Sequence, residues 1–172
     1  MCCMTHTPII DHNLLREEIK KDSVRIIDVR READYKLGHI KNSVNLPLAN
    51  LLNDDSPENI AKIAGDLGIS DKTPVVVYDD TFGALSSRVV WALQYIGHSN
   101  VKLLDVTFSQ WKELGLDITT EIPKIQKSTH SINIQSDIMA TADYLEKVKD
   151  NKNVVVIDNR ERLNFLEQHI PG

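Results

Sequence analysis

Apolar positions along the chain fall into two alternating patterns. Short runs rich in Val and Ile, at residues 24–28, 43–46, 75–78 and 101–104, are too brief for helices and read as strands. Between them lie amphipathic stretches with helical spacing. Residues 12–20 place Leu14, Leu15 and Ile19 on one face, with Asp11 as cap. Residues 31–37 make one or two helical turns ended by Gly38. Pro57 to Asp66 is a helix with Ser56 as cap and Pro57 in its first turn. Residues 87–96 bury Val89, Val90, Leu93 and Ile96, and Gly97 closes the helix. Residues 108–114 bring Phe108 and Trp111 together one turn apart. Strands alternating with helices predict an α/β fold: a mostly parallel sheet of about five strands with helices on both faces.

The pattern changes after residue 119. Residues 121–134 are polar, carry Pro123 and several Lys and Ser residues, and have the composition of a linker. A helix with Ile138, Ala142, Leu145 and Val148 on one side is expected over 137–149, and a strand over 154–157. The second strand repeats the first. Asp28 and Arg30 recur as Asp158 and Arg160, Tyr35 as Phe165, and His39-Ile40 as His169-Ile170, all at one constant offset. The chain therefore divides into a disordered tail (1–8), a module (9–120), a linker (121–134) and the opening of a second copy (135–172), truncated inside its signature.

Composition narrows the function. The chain has 172 residues, 41% hydrophobic and 26% charged, as in ordinary globular proteins. A net charge of −5 argues against a nucleic-acid surface. The apolar runs are far shorter than the ~20 residues that span a bilayer, so no membrane partner is expected. The first residues have neither an apolar core nor an Arg-rich pattern, which makes the cytoplasm the default location. Cys2 and Cys3 are the only cysteines, adjacent and near only His6. They make no disulfide framework, and neither a metal site nor a cofactor is implied.

Several motifs together resemble a known family. Ile27-Asp28-Val29-Arg30, Tyr35, Gly38-His39-Ile40 and Ser43-Val44-Asn45-Leu46-Pro47 are similar to the first signature of rhodanese-type sulfurtransferases. Val75 to Asp79, Ser87-Arg88, Trp91, Gly97-His98 and Val101 through Asp105 to Trp111 resemble the remainder of that module. Two copies resemble the tandem rhodaneses, which include thiosulfate and 3-mercaptopyruvate sulfurtransferases. The resemblance implies a cysteine thiolate that takes sulfur from a small-molecule donor, becomes a persulfide and passes the sulfur to a small-molecule acceptor. The family holds that sulfur in a loop of inward-pointing N–H groups above a helix N-terminus, which lowers the thiol pKa.

Here the corresponding loop runs through Asp79, Asp80, Gly83, Ser86, Ser87 and Arg88. Gly83 and Ser86 hold the family offsets when counted from Asp80. Counted from the strand end, the nucleophile position falls on Asp79. Either way it is aspartate, which cannot carry a transferable sulfur. The first module is expected to be inactive, as is common in tandem members, with the cysteine in the rest of the second module, which this part would contact. Arg162 and Arg160 are the candidates for binding an anionic donor near that persulfide. Val106-Thr107 replace the two glycines usual after the fourth strand, a departure from the family pattern.

The other singled-out residues read as structural. Asp28 ties down loop backbone and Arg30 pairs with an acidic neighbour. His39 and His169 are hydrogen-bonded turn histidines, and His98 is a solvent-facing cap residue. Trp91 and Trp111 belong to the core or a domain interface. Arg88 pairs with Asp79 or Asp80. Two functional readings remain: part of a tandem sulfurtransferase, or a non-catalytic rhodanese module with a binding or regulatory role. The in-register second signature favours the first. A cysteine phosphatase on the same scaffold needs a loop cysteine, which is lacking here.

Overall fold

The computed structural model describes residues 8–158. In chain order its elements are β1 (Ile9–Ile10), α1 (His12–Lys21), β2 (Arg25–Asp28), α2 (Glu32–Leu37), β3 (His39–Ile40), β4 (Ser43–Asn45), α3 (Leu48–Leu52), α4 (Pro57–Asp66), β5 (Val75–Tyr78), α5 (Ser86–Tyr95), β6 (Val101–Leu104), α6 (Phe108–Glu113), β7 (Ile118–Thr119) and α7 (Ala142–Val148). Five strands make a parallel sheet in the order β1-β6-β5-β2-β4. This is the α/β architecture that the alternating pattern predicts.

The strands alternate between two cores. Ile27, Val75 and Val77 face one cluster, with Ile60 and Ala64 of α4 and Val89, Ala92 and Leu93 of α5. Ile26, Val76 and Tyr78 face the other, with Leu15 of α1 and Phe108 and Trp111 of α6. Each fully buried Val or Ile contributes on the order of 2 kcal/mol. Both faces are therefore needed, and the central strands are apolar throughout. Leu14 departs from expectation: it is 61% exposed, because only the Leu15 side of α1 reaches the sheet.

Caps set the helix ends. The Asp11 side chain accepts the Asn13 and Leu14 N–H groups, and Ser56 accepts that of Asn59, with Pro57 at the first position of α4. The Val106-Thr107 departure has a structural reason. Thr107 caps α6 in a capping box: its hydroxyl accepts the Gln110 N–H at 3.1 Å, and Gln110 Oε1 accepts the Thr107 N–H at 2.9 Å. Four short elements carry no periodic signal and were not expected from the pattern: β1 on the sheet edge, helix α3, and the two strands of the antiparallel pair β3–β7, where His39 lies opposite Thr119.

The first compact unit extends to Ile138, and a second comprises residues from Met139 onward. Residues 121–134, whose composition reads as a linker, contain no helix or strand but belong to the first unit, where 121–135 form a strap over it. The Ser128 N–H donates to Gly65 O, Asn133 to Ile96 O and Gln135 to Tyr95 O, each at 2.9 Å. The helix expected over 137–149 is divided. Ser136–Ile138 is a single 3-10 turn of the first unit, and α7 starts only at Ala142, where Thr141 caps it. The strand expected over 154–157 pairs with no described residue. Val155, Val156 and Ile157 are exposed, since a strand exists only through its ladder partners.

Among the described residues no helix is long and apolar enough to cross a membrane. Cys2, Cys3, Arg160, Arg162 and His169 lie outside the described residues.

Candidate functional site

The turn between β5 and α5 folds around a single carboxylate. Asp79 follows the last residue of β5 and is 3% exposed. Its Oδ1 accepts the N–H groups of Thr81 (2.9 Å) and Gly83 (3.0 Å). Its Oδ2 accepts those of Leu85 (2.9 Å) and Ser86 (3.0 Å), together with the hydroxyls of Thr81 (2.9 Å) and Ser86 (3.1 Å). Phe82 (φ 53°) and Gly83 (φ 87°) are consecutive residues in the left-handed region, and this turns the N–H groups inward. Glycine takes that conformation at little cost, whereas Phe82 does not. Burial alone would raise the Asp79 pKa. The N–H groups of Ser86, Gly83 and Thr81 outweigh it and hold the carboxyl below its usual value. The result is an anion nest at the start of α5, filled by a side chain of the protein itself.

The two adjacent aspartates are thus told apart by geometry. Asp79 occupies the nest. Asp80 points elsewhere, its carboxylate accepting the N–H and hydroxyl of Ser109 on α6, both at 2.8 Å. Arg88 pairs with neither, contrary to the sequence expectation. Its guanidinium bonds Asp55 at 2.8 Å and lies 4.5 Å from the Trp91 ring centre. Asp79 needs no cation, because the N–H and hydroxyl donors of the turn already satisfy its oxygens. Ser87 is exposed, on the outer side of the helix start. Thr81, Leu85 and Ser109 complete these contacts. Thr81 and Ser109 carry a faint signal as hydroxyl residues near turns, whereas Leu85 acts only through its backbone.

Beside the nest, Asp28 and Arg30 form a buried pair with each other. Arg30 Nη2 donates to Asp28 Oδ2 at 2.6 Å and to Gly38 O at 2.8 Å. The Tyr78 hydroxyl donates to Asp28 Oδ2 at 2.6 Å, and it accepts the Ile40 N–H at 3.2 Å. Burial first, and then the Asp28 charge, raise the Tyr78 pKa well above its usual value. His39 is fully buried. Its ring stacks on Tyr35 at 3.7 Å and bonds the carbonyls of Tyr35 and Glu121. Trp111 is in the core, while Trp91 is half-buried and stacks on Tyr95. His98 is not solvent-facing. It is fully buried against His130, a residue the sequence pattern does not single out.

Two further features lie away from the nest. A cleft of about 320 Å³ is lined by Tyr35, Asn45, Pro47, Leu67, Ile122 and Ile125, among others, and no nest residue lines it. Asp11, His12 and Asp105 bring ligand-type atoms within 4.8 Å of one another. Asp11 already caps α1, and His12 bonds Asp105 at 3.2 Å, so these groups satisfy each other.

Known proteins resemble this chain in both sequence and fold. The family model described as "Rhodanese-like domain" matches residues 11–114. The sulfur carrier protein TtuD of Thermus thermophilus is 27% identical over 160 residues, covering 86% of this chain and 56% of that protein. A probable 3-mercaptopyruvate sulfurtransferase of Schizosaccharomyces pombe is 32% identical over 114 residues, covering 63% of this chain and 38% of that protein. The chain thus spans about half the length of these relatives, or less. The crystal structure of SseA from Escherichia coli, described with the 3-mercaptopyruvate sulfotransferases, superposes with a TM-score of 0.82 at 20% identity. That match covers 93% of this chain and 68% of the other. With the family model matching more than half of the chain, and the parallel sheet and β5–α5 nest described above, this protein belongs to the rhodanese-like domain family.

Proposed function

We propose that residues 11–114 are the non-catalytic unit of a sulfurtransferase with two rhodanese-like units, which moves sulfane sulfur from thiosulfate or 3-mercaptopyruvate to a thiophilic acceptor. The observation that carries this reading is the Asp79 carboxylate inside the nest. Sulfur transfer from thiosulfate needs a thiolate there. The thiolate attacks the sulfane sulfur and a new S–S bond forms. The S–S bond to sulfite breaks, and sulfite leaves with the electron pair. The acceptor thiolate or cyanide then attacks the outer sulfur, and the cysteine thiolate leaves. A carboxylate accepts the same N–H bonds but forms no S–S bond.

In this reading the sulfur carrier is a cysteine of a second unit, opened by the repeat of the first signature from Val154 onward. Arg160 and Arg162 sit in that repeat and supply the positive charge for an anionic donor. Asp80, Ser87 and Arg88 serve as supports of the loop rather than as groups that touch a substrate.

The test uses the whole chain with Cys2→Ser and Cys3→Ser. It should transfer no sulfur from thiosulfate to cyanide above the buffer rate. Activity in that variant would overturn the reading, because no thiol then remains. Adding Asp79→Cys should create a thiol titrating below about 8.5 that gains one sulfur atom by mass from thiosulfate. Asp80→Cys, beside Ser109, should not. Equal reactivity at the two positions would show that the nest has no effect on sulfur.

A further inference from the structure

The strap over residues 121–135 packs on backbone that has been cleared for it. A Cβ built on Gly65 would lie 2.5 Å from Ser128 O, one on Gly68 would lie 2.8 Å from Gln126 O, and one on Gly97 would lie 2.7 Å from Asn133 O. All three positions belong to the C-terminal ends of α4 and α5 or the turns after them. The strap's N–H groups bond carbonyls at the ends of the two helices, those of Gly65, Tyr95 and Ile96. Thus 126–135 is a fitted cap across two helix ends.

One contact in it is conditional. His130 of the strap reaches His98, which follows α5, with His98 Nδ1 and His130 Nε2 3.0 Å apart and the rings tilted at 51°. His98 is 0% exposed and the His130 side chain is 2% exposed. A nitrogen pair at this distance holds a single hydrogen, one ring donating and the other accepting. With both rings charged, two N–H groups would face each other in a site closed to water.

The surrounding groups do not remove that conflict. Asp71, on the α4–β5 connection, is 3.7 Å from His130 Nδ1, and it also accepts the Ser131 N–H at 2.7 Å. Its charge favours the first proton on the pair and leaves the second opposed. From the β5 and β6 side the backbone of Thr73 and Asn100 faces the His98 ring and favours its charged form without touching His130, and His98 Nε2 makes no hydrogen bond.

We propose that residues 121–135 form a proton-released strap, in which charging both His98 and His130 detaches 126–135 from the ends of α4 and α5 while the sheet stays folded. Burial, and after it the neighbouring His130, hold the His98 pKa below its usual value. The sign follows from this. The docked strap is fully favoured above the free-histidine value of about 6.5, and it loses stability as pH falls through the lower docked value.

Amide hydrogen exchange on the whole chain tests the proposal. Between about pH 7.5 and about pH 5, protection factors of Ser128, Ser131, Asn133 and Gln135 should fall at least ~tenfold, while those of Val76 and Val77 hold. His130→Gln, whose side-chain oxygen accepts from a charged His98, should flatten that loss. Strap and sheet losing protection in parallel would overturn the proposal, as would a strap insensitive to pH or an unchanged pH response in His130→Gln. If that variant does not fold, histidine NMR titration of the unaltered chain decides. Two-step titration, with the second step coinciding with strap exposure, supports the proposal; two independent titrations at the ordinary histidine value overturn it.

Discussion

The guanidinium carbon of Arg30 lies 3.6 Å from the centre of the Phe108 ring. This contact joins the end of β2 to the first residue of α6 across the face of Tyr78. Arg30 is held there by its fork on Asp28, so the Asp-x-Arg signature ties the strand to the helix.

Arg30→Ala should destabilise the chain by about 3–5 kcal/mol, since it leaves the Asp28 carboxylate buried without its cation. Phe108→Leu keeps most of the apolar volume but loses the ring's attraction for the cation and its stacking on Tyr78, and should cost about 1–2 kcal/mol. Urea unfolding of both variants measures the difference. An Arg30→Ala loss as small as that of a surface substitution would contradict the assignment.

The Asp79 carboxyl has a lowered pKa, so its contribution is present above the unfolded value of about 3.9 and disappears as pH falls through the lower folded value. Asp79→Asn should therefore cost about 1–3 kcal/mol near neutral pH. The gap between the variant and the parent should close in acid. Denaturant midpoints followed across pH give the comparison, and a gap that widens in acid would reverse the sign argued here.

Gly65→Ala offers a test by sign. Inside an exposed helix this change stabilises by about 0.5–1 kcal/mol. Here the new methyl meets Ser128 O at 2.5 Å. The strap must shift, and the substitution should destabilise instead. Limited proteolysis after Lys124 and Lys127 would report the loosened strap directly. A stabilised Gly65→Ala with unchanged cleavage would mean that the strap is not seated on α4.

Val155, Val156 and Ile157 are 79%, 69% and 80% exposed, while Val75 to Tyr78 are almost fully buried in the sheet. Amides of 155–157 should exchange near the unprotected rate, and those of β5 should be the slowest in the chain. Comparable protection of the two segments would mean that 154–157 has found a ladder in solution.

The central sheet was legible because it is local information repeated. Ile26-Ile27 and Val75 to Tyr78 are continuous apolar runs, and only a strand buried on both faces uses such a run. Helices α1 and α4 carry side-chain caps and a periodic stripe within their own few residues, and α5 carries the stripe with Gly97 after it, so the sequence states these directly. The carboxylate at the end of β5 was legible too, but its identity within Asp79-Asp80 was not. Which of two adjacent carboxylates enters the nest depends on Phe82 and Gly83 taking positive φ together and on Ser109 arriving from α6 to receive the other.

Contacts between residues far apart in the chain were decided by tertiary structure alone. Arg88 chooses Asp55 over Asp79, because N–H groups of the turn already satisfy Asp79. His98 is buried because a polar segment with the composition of a linker brings His130 onto it. Composition measures how much apolar surface a segment can bury, and 121–134 buries little. Backbone hydrogen bonds and three glycines hold it instead, and neither leaves a periodic mark in the sequence. The run from Val154 shows the converse. It has the sequence of a core strand, and only the presence of neighbouring strands decides whether it becomes one.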